Sequence, residues 1–388
     1  MSDAPKISKD EIRQGIRNLC ANYPETYWRE MDEQRRYPEE FVKALTEGGW
    51  LSMLIPEEYG GLGMGVGDAA IVLEEINRAG GLAAPVHAQM YTMGALLRHG
   101  NTKQKEKWLP DIASGKLRLQ AFGVTEPAAG SDTTSITTFA ERVGDKYVVS
   151  GQKIFISRVQ HSDLMLLLAR TVPREKVQKK TDGLSLFLLD LREQIPEGKV
   201  RLKPIRTMIN HETNEVFFNG AEVPVENRIG EEGQGFKYIL SGLNAERILV
   251  ASGALGDGRY FIDKASDYAR NRIVFSRPIG QNQGIQFPLA RAHIALDAAT
   301  LMRDRAAELF DKGETGGAEA NMAKYLSSEA AWEAANVAMT TFGGYGYAVE
   351  YNIERKFREA RLALVAPVSN NLVLSYVAEH VLRMPRSF

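Results

Sequence analysis

The hydrophobic positions of this chain change period twice. Ile12, Ile16, Leu19 and Cys20 fall at helical spacing behind a Ser8 and Glu11 capping-box pair, which predicts an N-terminal helix. Phe41, Val42 and Leu45 predict another between Pro38 and Gly48-Gly49. EEYGGLGMGVG reads as a glycine-rich loop, IVLEEINRAG and PVHAQMYTMGALLRHG return to the helical period, and a lysine-rich exposed stretch runs on to Leu109. From about Ala121 the runs become short, apolar or alternating: KYVVSG, QKIFIS, DLMLLLARTV, DGLSLFLLDL and NEVFFNGAEVP. Turn pairs such as Ser150-Gly151, Asp182-Gly183 and Asn219-Gly220 punctuate them, and PREKVQKKTDG reads as an exposed hairpin excursion. Beyond Gly235 the helical period resumes in FKYILSGLNAERILVASGALG, RYFIDKASDYARNR, PLARAHIALDAATLMRDRAAELFD, EANMAKYLSSEAAWEAANVAMTTFGG and ERKFREARLAL. The expectation is an α+β architecture: an N-terminal helical domain over 1–120, a middle antiparallel β domain over 121–230 and a C-terminal helical bundle over 231–388. Strands do not alternate with helices, which argues against a doubly wound parallel sheet.

Composition narrows the function. A chain of 388 residues exceeds what one core holds and has the length of an enzyme. Lys+Arg at 48 balance Asp+Glu at 49 without a long run of either sign, so neither nucleic acid nor an anionic membrane is an expected partner. The one cysteine, Cys20, excludes an intrachain disulfide framework and reads as core packing in a reducing compartment. MSDAPKISKDEIRQ contains no apolar signal core, and no apolar run approaches the roughly 20 residues that span a bilayer, so the cytoplasm is the expected location. The six histidines show no ligand spacing, and no metal is expected. Gly253, Gly256 and Gly258 spell G-x-x-G-x-G, but inside a helical pattern with no strand before it, so the motif is not read as a dinucleotide loop.

Two stretches carry more specific information: AFGVTEPAAGSD from Ala121 to Asp132, and GQKIFIS from Gly151 to Ser157. Together with NRIVFSRPIGQNQGIQF, FGGYGY and FREARL, they make the whole chain resemble the acyl-CoA dehydrogenase family, FAD enzymes that oxidise acyl-CoA thioesters between Cα and Cβ. The resemblance implies that Thr125 hydrogen-bonds the flavin ring and that Phe155 and Ser157 pack beside it, Phe155 standing where Trp is usual. It places Ser131 at the mouth of the CoA channel, and Arg272, Phe275, Gln283 and the Gly343-Gly344 loop on the FAD pyrophosphate and adenosine of a neighbouring subunit. A dimer-built site within a homotetramer, with an electron-transfer flavoprotein as acceptor, is therefore implied. Thr340 stands where many members have Gln, which removes one adenosine-side contact.

The chemistry needs a desolvated carboxylate to take the α-proton. Most of the family carries it just after the helix corresponding to ERKFREARL, and the residue there is Pro367, which has neither a carboxylate nor an N–H. The resemblance to a minority of members places the base instead at Glu246. The pattern agrees, because Ile239, Leu243, Glu246 and Val250 form one stripe in which Glu246 is the polar step. The alternative for Glu246 is a buried structural ion pair, with Arg247 the nearest partner and otherwise a substrate contact. Pro367 also removes a backbone donor to the thioester carbonyl; Ser369, Asn370 or the Val368 N–H can replace it, and Ser369 and Asn371 are candidate cofactor contacts. His87, with Met90 and Tyr91, corresponds to the acyl-tail pocket, where an imidazole favours a short or polar acyl group; a satisfied core histidine is the alternative. The expected activity is α,β-dehydrogenation of an acyl-CoA. An elimination on the same fold without net oxidation is the second reading, motivated by Pro367.

Overall fold

The computed structural model describes residues 7–386, so the first six residues of MSDAPKISKDEIRQ, in which no apolar signal core is expected, lie outside the described residues. In chain order the helices and strands are α1 (Lys9–Cys20), α2 (Glu25–Gln34), α3 (Glu39–Glu47), α4 (Val66–Arg78), α5 (Ala84–His99), α6 (Thr102–Ala113), β1 (Leu119–Gly123), β2 (Phe139–Val143), β3 (Lys146–Ser157), β4 (Leu164–Arg170), β5 (Leu184–Asp190), α7 (Leu191–Gln194), β6 (Val200–Pro204), β7 (Thr213–Pro224), β8 (Arg228–Ile229), α8 (Gly235–Asn271), β9 (Ile273–Val274), β10 (Arg277–Pro278), α9 (Gln283–Asp311), α10 (Gly317–Phe342), α11 (Ile353–Ala360) and α12 (Asn370–Tyr376). The helix, sheet, helix order is the expected one. Among the described residues no helix is long and apolar enough to cross a membrane.

The α1 cap forms as its sequence predicts: Glu11 N–H donates to Ser8 Oγ at 3.3 Å and Ser8 N–H to Glu11 Oε2 at 2.7 Å. Other helices depart from the periodicity. The lysine-rich stretch is α6, opened by an Asn101/Gln104 capping box and continuing through Pro110. The glycine-rich loop ends at Gly65, because Asp311 from the end of α9 accepts the Val66 and Gly67 N–H groups at 2.7 and 2.9 Å and so starts α4. The two segments read around Gly256 and Gly258 form one 37-residue helix, α8.

The chain forms two compact units. One comprises the described residues up to Gln34, Gly65–Ala83 and the residues from Asn244 on; its core gathers Leu255, Phe261, Leu296, Ala334 and Ile353. Burial of each large side chain there contributes about 1.5–3 kcal/mol. Its helices approach closely at glycines. A Cβ on Gly256 would lie 2.2 Å from the Glu74 carbonyl oxygen and one on Gly258 2.3 Å from Leu296, so the G-x-x-G-x-G spacing serves helix packing. Two clusters of buried charge in this unit are paired: Glu74 with Arg303 and Arg259 at 2.9 and 3.0 Å, and Lys356 with Asp257 and Glu359 at 2.5 and 2.8 Å.

The second unit, Arg35–Met64 with Ala84–Leu243, holds the eight-stranded sheet, in the order β6-β7-β3-β2-β4-β5-β8 with β1 beside β4. It is mainly antiparallel, as expected, but β1 and β2 each pair with β4 in parallel. PREKVQKKTDG does connect two antiparallel strands, β4 and β5. Cys20, in the helical unit, is buried, and burial pushes its thiol up to about 12, which makes it a poor nucleophile.

Candidate active site

In the sheet unit the motif AFGVTEPAAGSD runs from β1 into a loop that is fixed from below. Lys153 is fully buried, and its ammonium donates to the Val124 carbonyl and to Glu126 Oε1, both at 2.9 Å. Glu126 also accepts Thr137 N–H at 2.6 Å and Thr138 N–H at 2.9 Å. Burial alone raises the Glu126 carboxyl; the adjacent Lys153 and these donors hold it below its ordinary range. Burial conversely lowers Lys153, to about 8. Thr125, one residue before Glu126, accepts Ile154 N–H at its carbonyl at 2.9 Å, directly beside an irregularity in the β3–β7 ladder between Lys153 and Ile156.

That bulge presents Phe155. Its φ is 59° and the ring is 60% exposed, an unusual conformation and environment for an aromatic residue. Neither the Thr125 nor the Ser157 hydroxyl hydrogen-bonds any described residue. Two free hydroxyls and an exposed ring at one strand bulge fit a planar, hydrogen-bonding group such as a flavin. Ser131 is exposed in the same loop, next to Gly130. On α5, one turn apart, His87 and Tyr91 have ring centroids 4.7 Å apart, and Tyr91 meets Phe122 of β1 edge-on at 5.7 Å.

The helical unit holds the other candidates. Glu246 on α8 is only 5% exposed, and its carboxylate makes no hydrogen bond or ion pair with a described residue. Burial pushes it up to about 8, with Arg247 opposing. Arg247 is not its ion-pair partner: Nη1 donates to Asn244 Oδ1 at 2.9 Å, and the buried Nε has no partner.

Arg272, Phe275 and Gln283 cluster around the β9–β10 hairpin. The turn is Phe275-Ser276, with φ of 51° and 63°, and Phe275 is 95% exposed. The Arg272 guanidinium lies 5.5 Å from the centre of the Tyr345 ring, adjacent to Gly343 and Gly344. Gly343 has φ 58° and donates its N–H to the Met339 carbonyl, and neither glycine has an atom within 4 Å of a built Cβ, so the loop leaves room for a phosphate to approach the backbone.

Pro367 lies in the segment between α11 and α12. Ser369 Oγ caps α12 by accepting Leu372 N–H at 3.4 Å. Asn370 is committed: it accepts from the buried Lys324 ammonium at 2.5 Å and donates to Ser328 and Glu329 at 3.0 and 2.7 Å. Asn371 is exposed. The Val368 N–H bonds to no described residue. Sequence reading missed the Lys153–Glu126 anchor and Arg158, a buried arginine directly after Ser157; a cation bounded by Ile156 and Val159 is the signal that flags it.

Family models match in three successive pieces: acyl-CoA dehydrogenase N-terminal domain over residues 8–116, middle domain over 121–221 and C-terminal domain over 233–382. The acyl-CoA dehydrogenase FadE12 of Mycobacterium tuberculosis is 34% identical over 394 residues, covering 100% of both chains. The short-chain specific acyl-CoA dehydrogenase of Rattus norvegicus mitochondria is 33% identical over 390 residues, 98% of this chain and 92% of its own. The structure of butyryl-CoA dehydrogenase from Megasphaera elsdenii superposes with a TM-score of 0.91 at 28% identity, covering 99% of this chain and 100% of that one.

Proposed function

The chain belongs to the acyl-CoA dehydrogenase family, FAD-dependent oxidoreductases acting on CH–CH groups, and from that premise we propose that it converts an acyl-CoA to the 2-enoyl-CoA with Glu246 as the base. The buried, unpaired carboxylate of Glu246 is the observation that carries this reading. FAD, when bound, supplies the acceptor for the hydride that leaves Cβ. Thr125 and Ser157 offer it two uncommitted hydroxyls, Phe155 an exposed face, and Arg272 with the Gly343-Gly344 backbone a site for its phosphates. Glu246 takes the α-proton onto its carboxylate, and its elevated affinity for protons suits it to a weakly acidic C–H. Ser131, Arg247, His87 and Tyr91 are the proposed substrate contacts.

The thioester carbonyl needs a donor in place of the N–H that Pro367 lacks. Asn370 is tied to Lys324 and Ser369 caps a helix, so the uncommitted Val368 N–H is the donor we assign. Asn371 and Ser369 remain the proposed cofactor contacts on this segment. Electrons pass to an electron-transfer flavoprotein in the cytoplasm.

Oligomerisation belongs to the same proposal. Phe275 is too exposed for a monomer surface, and Phe287, Ile294 and Leu301 form an exposed apolar stripe along α9 at seven-residue spacing. A homotetramer, assembled as a dimer of dimers, would cover them. Phe275→Asp is expected to lower the assembly state in sedimentation and to reduce retained FAD at least tenfold; unchanged assembly and FAD content would remove this face from the interface.

The function is tested by anaerobic titration of the yellow protein with short, branched, aromatic, dicarboxylic and long acyl-CoAs. At least one is expected to bleach the flavin and yield a product lighter by two hydrogens. Loss of a larger group without bleaching would favour the elimination reading instead.

A further inference from the structure

Buried cations are ordinarily paired, because removing a guanidinium from water is costly without an anion or a full set of acceptors. Arg303, Arg355 and Lys356 obey this rule in the helical unit. Arg158 in the sheet unit does not. It is 6% exposed, yet its guanidinium makes no hydrogen bond and no salt bridge to any described residue, and its Nε is among the buried atoms without a partner. Its backbone is in turn firmly held: Arg158 N–H donates to the Glu212 carbonyl at 3.1 Å, and Ser162 Oγ donates to the Arg158 carbonyl at 2.8 Å. Among the described residues the carboxylate that acts on its charge is Glu212, which is engaged with His161 at 2.8 Å.

A second donor nearby is also unanswered. Gln120 is 1% exposed, accepts the Tyr37 hydroxyl at 2.8 Å, and leaves its buried Nε2 without an acceptor. Tyr37 and Tyr91 are the two phenols near Arg158, so the guanidinium, Gln120 and Tyr91 share one neighbourhood inside the same unit. Tyr91 lies against His87 with the rings tilted by 41°, in the position that by family resemblance corresponds to the acyl tail. The neighbourhood thus holds two buried donors, Arg158 Nε and Gln120 Nε2, that no described residue answers with an acceptor. Such an arrangement is complementary to a carboxylate, which an arginine takes in a forked pair of N–H···O bonds.

Resting on the acyl-CoA reading, we propose that Arg158 is a specificity residue that binds a carboxylate at the far end of the acyl group, making ω-carboxyacyl-CoA thioesters the preferred substrate class. The flavin is a second anion source close by, because Ser157 precedes Arg158 in sequence. β3 ends at Ser157, and the left-handed backbone of Arg158, with φ of 59°, turns the chain there; Arg158 is buried where Ser157 is half-buried, which favours the acyl end.

The test compares glutaryl-, adipoyl- and suberyl-CoA with valeryl-, hexanoyl- and octanoyl-CoA on the FAD-loaded protein, by calorimetric binding and by flavin bleaching. At matched length the carboxylated thioester is expected to bind at least tenfold more tightly. Arg158→Gln should erase that preference with the alkyl series and the flavin spectrum unchanged, and Arg158→Lys should keep part of it. Because it removes an unpaired buried charge, Arg158→Gln should also melt higher than the parent without ligand, which a structural arginine would not allow. Equal binding of the two series by the parent overturns the proposal. So does an Arg158→Gln variant that weakens both series alike or shifts the flavin spectrum, which assigns the guanidinium to the cofactor. Carboxylate-selective binding that needs Arg158, without bleaching by any thioester, upholds this site and sinks the dehydrogenase reading alone.

Discussion

Glu246→Gln is expected to yield a folded, yellow protein whose flavin no longer bleaches on addition of a thioester that bleaches the parent. General bases contribute on the order of 10²- to 10⁴-fold, and glutamine cannot accept the α-proton, so single-turnover reduction should fall by at least that factor with FAD content intact. The pH dependence follows from the same side chain. Burial places the Glu246 carboxyl at about 8, and only its deprotonated form is a base, so kcat/KM should climb with pH and level off above about 8. Stability moves the other way. The folded chain holds a proton on Glu246 that the unfolded chain releases above the ordinary value of 4.5, so the folded state loses stability as pH rises from there to about 8. Glutamine has no proton to lose, and the variant should be more stable than the parent at pH 8, by on the order of 3 kcal/mol. A variant that bleaches normally would sink the base assignment, and one that melts below the parent at pH 8 would sink the account of its burial.

Lys153→Met is the second large effect. It leaves the Glu126 carboxylate, which accepts from Thr137 and Thr138, without its cation in a buried position. Breaking a buried pair from one side costs about 3–5 kcal/mol, far more than removing both charges. Urea unfolding should show that loss. FAD content should fall with it, because the same lysine donates to the Val124 carbonyl, immediately before Thr125. Lys153→Met combined with Glu126→Gln should recover part of the stability, since the carbonyl oxygen of the new side-chain amide could still accept the threonine donors. If the single variant unfolds at the parent's urea midpoint, the pair does not anchor the loop.

Glu246 was visible in the sequence because a lone carboxylate interrupts an apolar stripe, and burial follows from the stripe alone. The α–β–α order was visible because the period changes near Ala121 and Gly235. α2 was not, since Trp28 and Met31 are the only buried side chains in it and two positions make no period. α6 was obscured by Pro110 and by a run of lysines whose solvent face outweighs Trp108, Leu109 and Ile112. The continuity of α8 was hidden by glycines that usually end helices, whereas here Gly256 and Gly258 admit Glu74 and Leu296. The parallel pairings of β1 and β2 with β4, and the lack of a partner for the Arg158 guanidinium among the described residues, depend on contacts distant in sequence, which no local pattern encodes.

The carbonyl oxygens of Gly80 and Gly81, just after α4, accept hydrogen bonds from Arg355 and Lys356, at 2.6 and 2.8 Å. α4 itself begins on Asp311. On the ribosome these acceptors emerge more than two hundred residues before their donors, so the early helices must wait, incompletely satisfied, for almost the whole polypeptide to be made. The unit built from Arg35–Met64 and Ala84–Leu243 draws on no residue after Leu243, and it is complete as a chain segment long before its companion. The order of synthesis and the order of assembly are thus opposed at the N-terminus, where a holding chaperone has the most to protect.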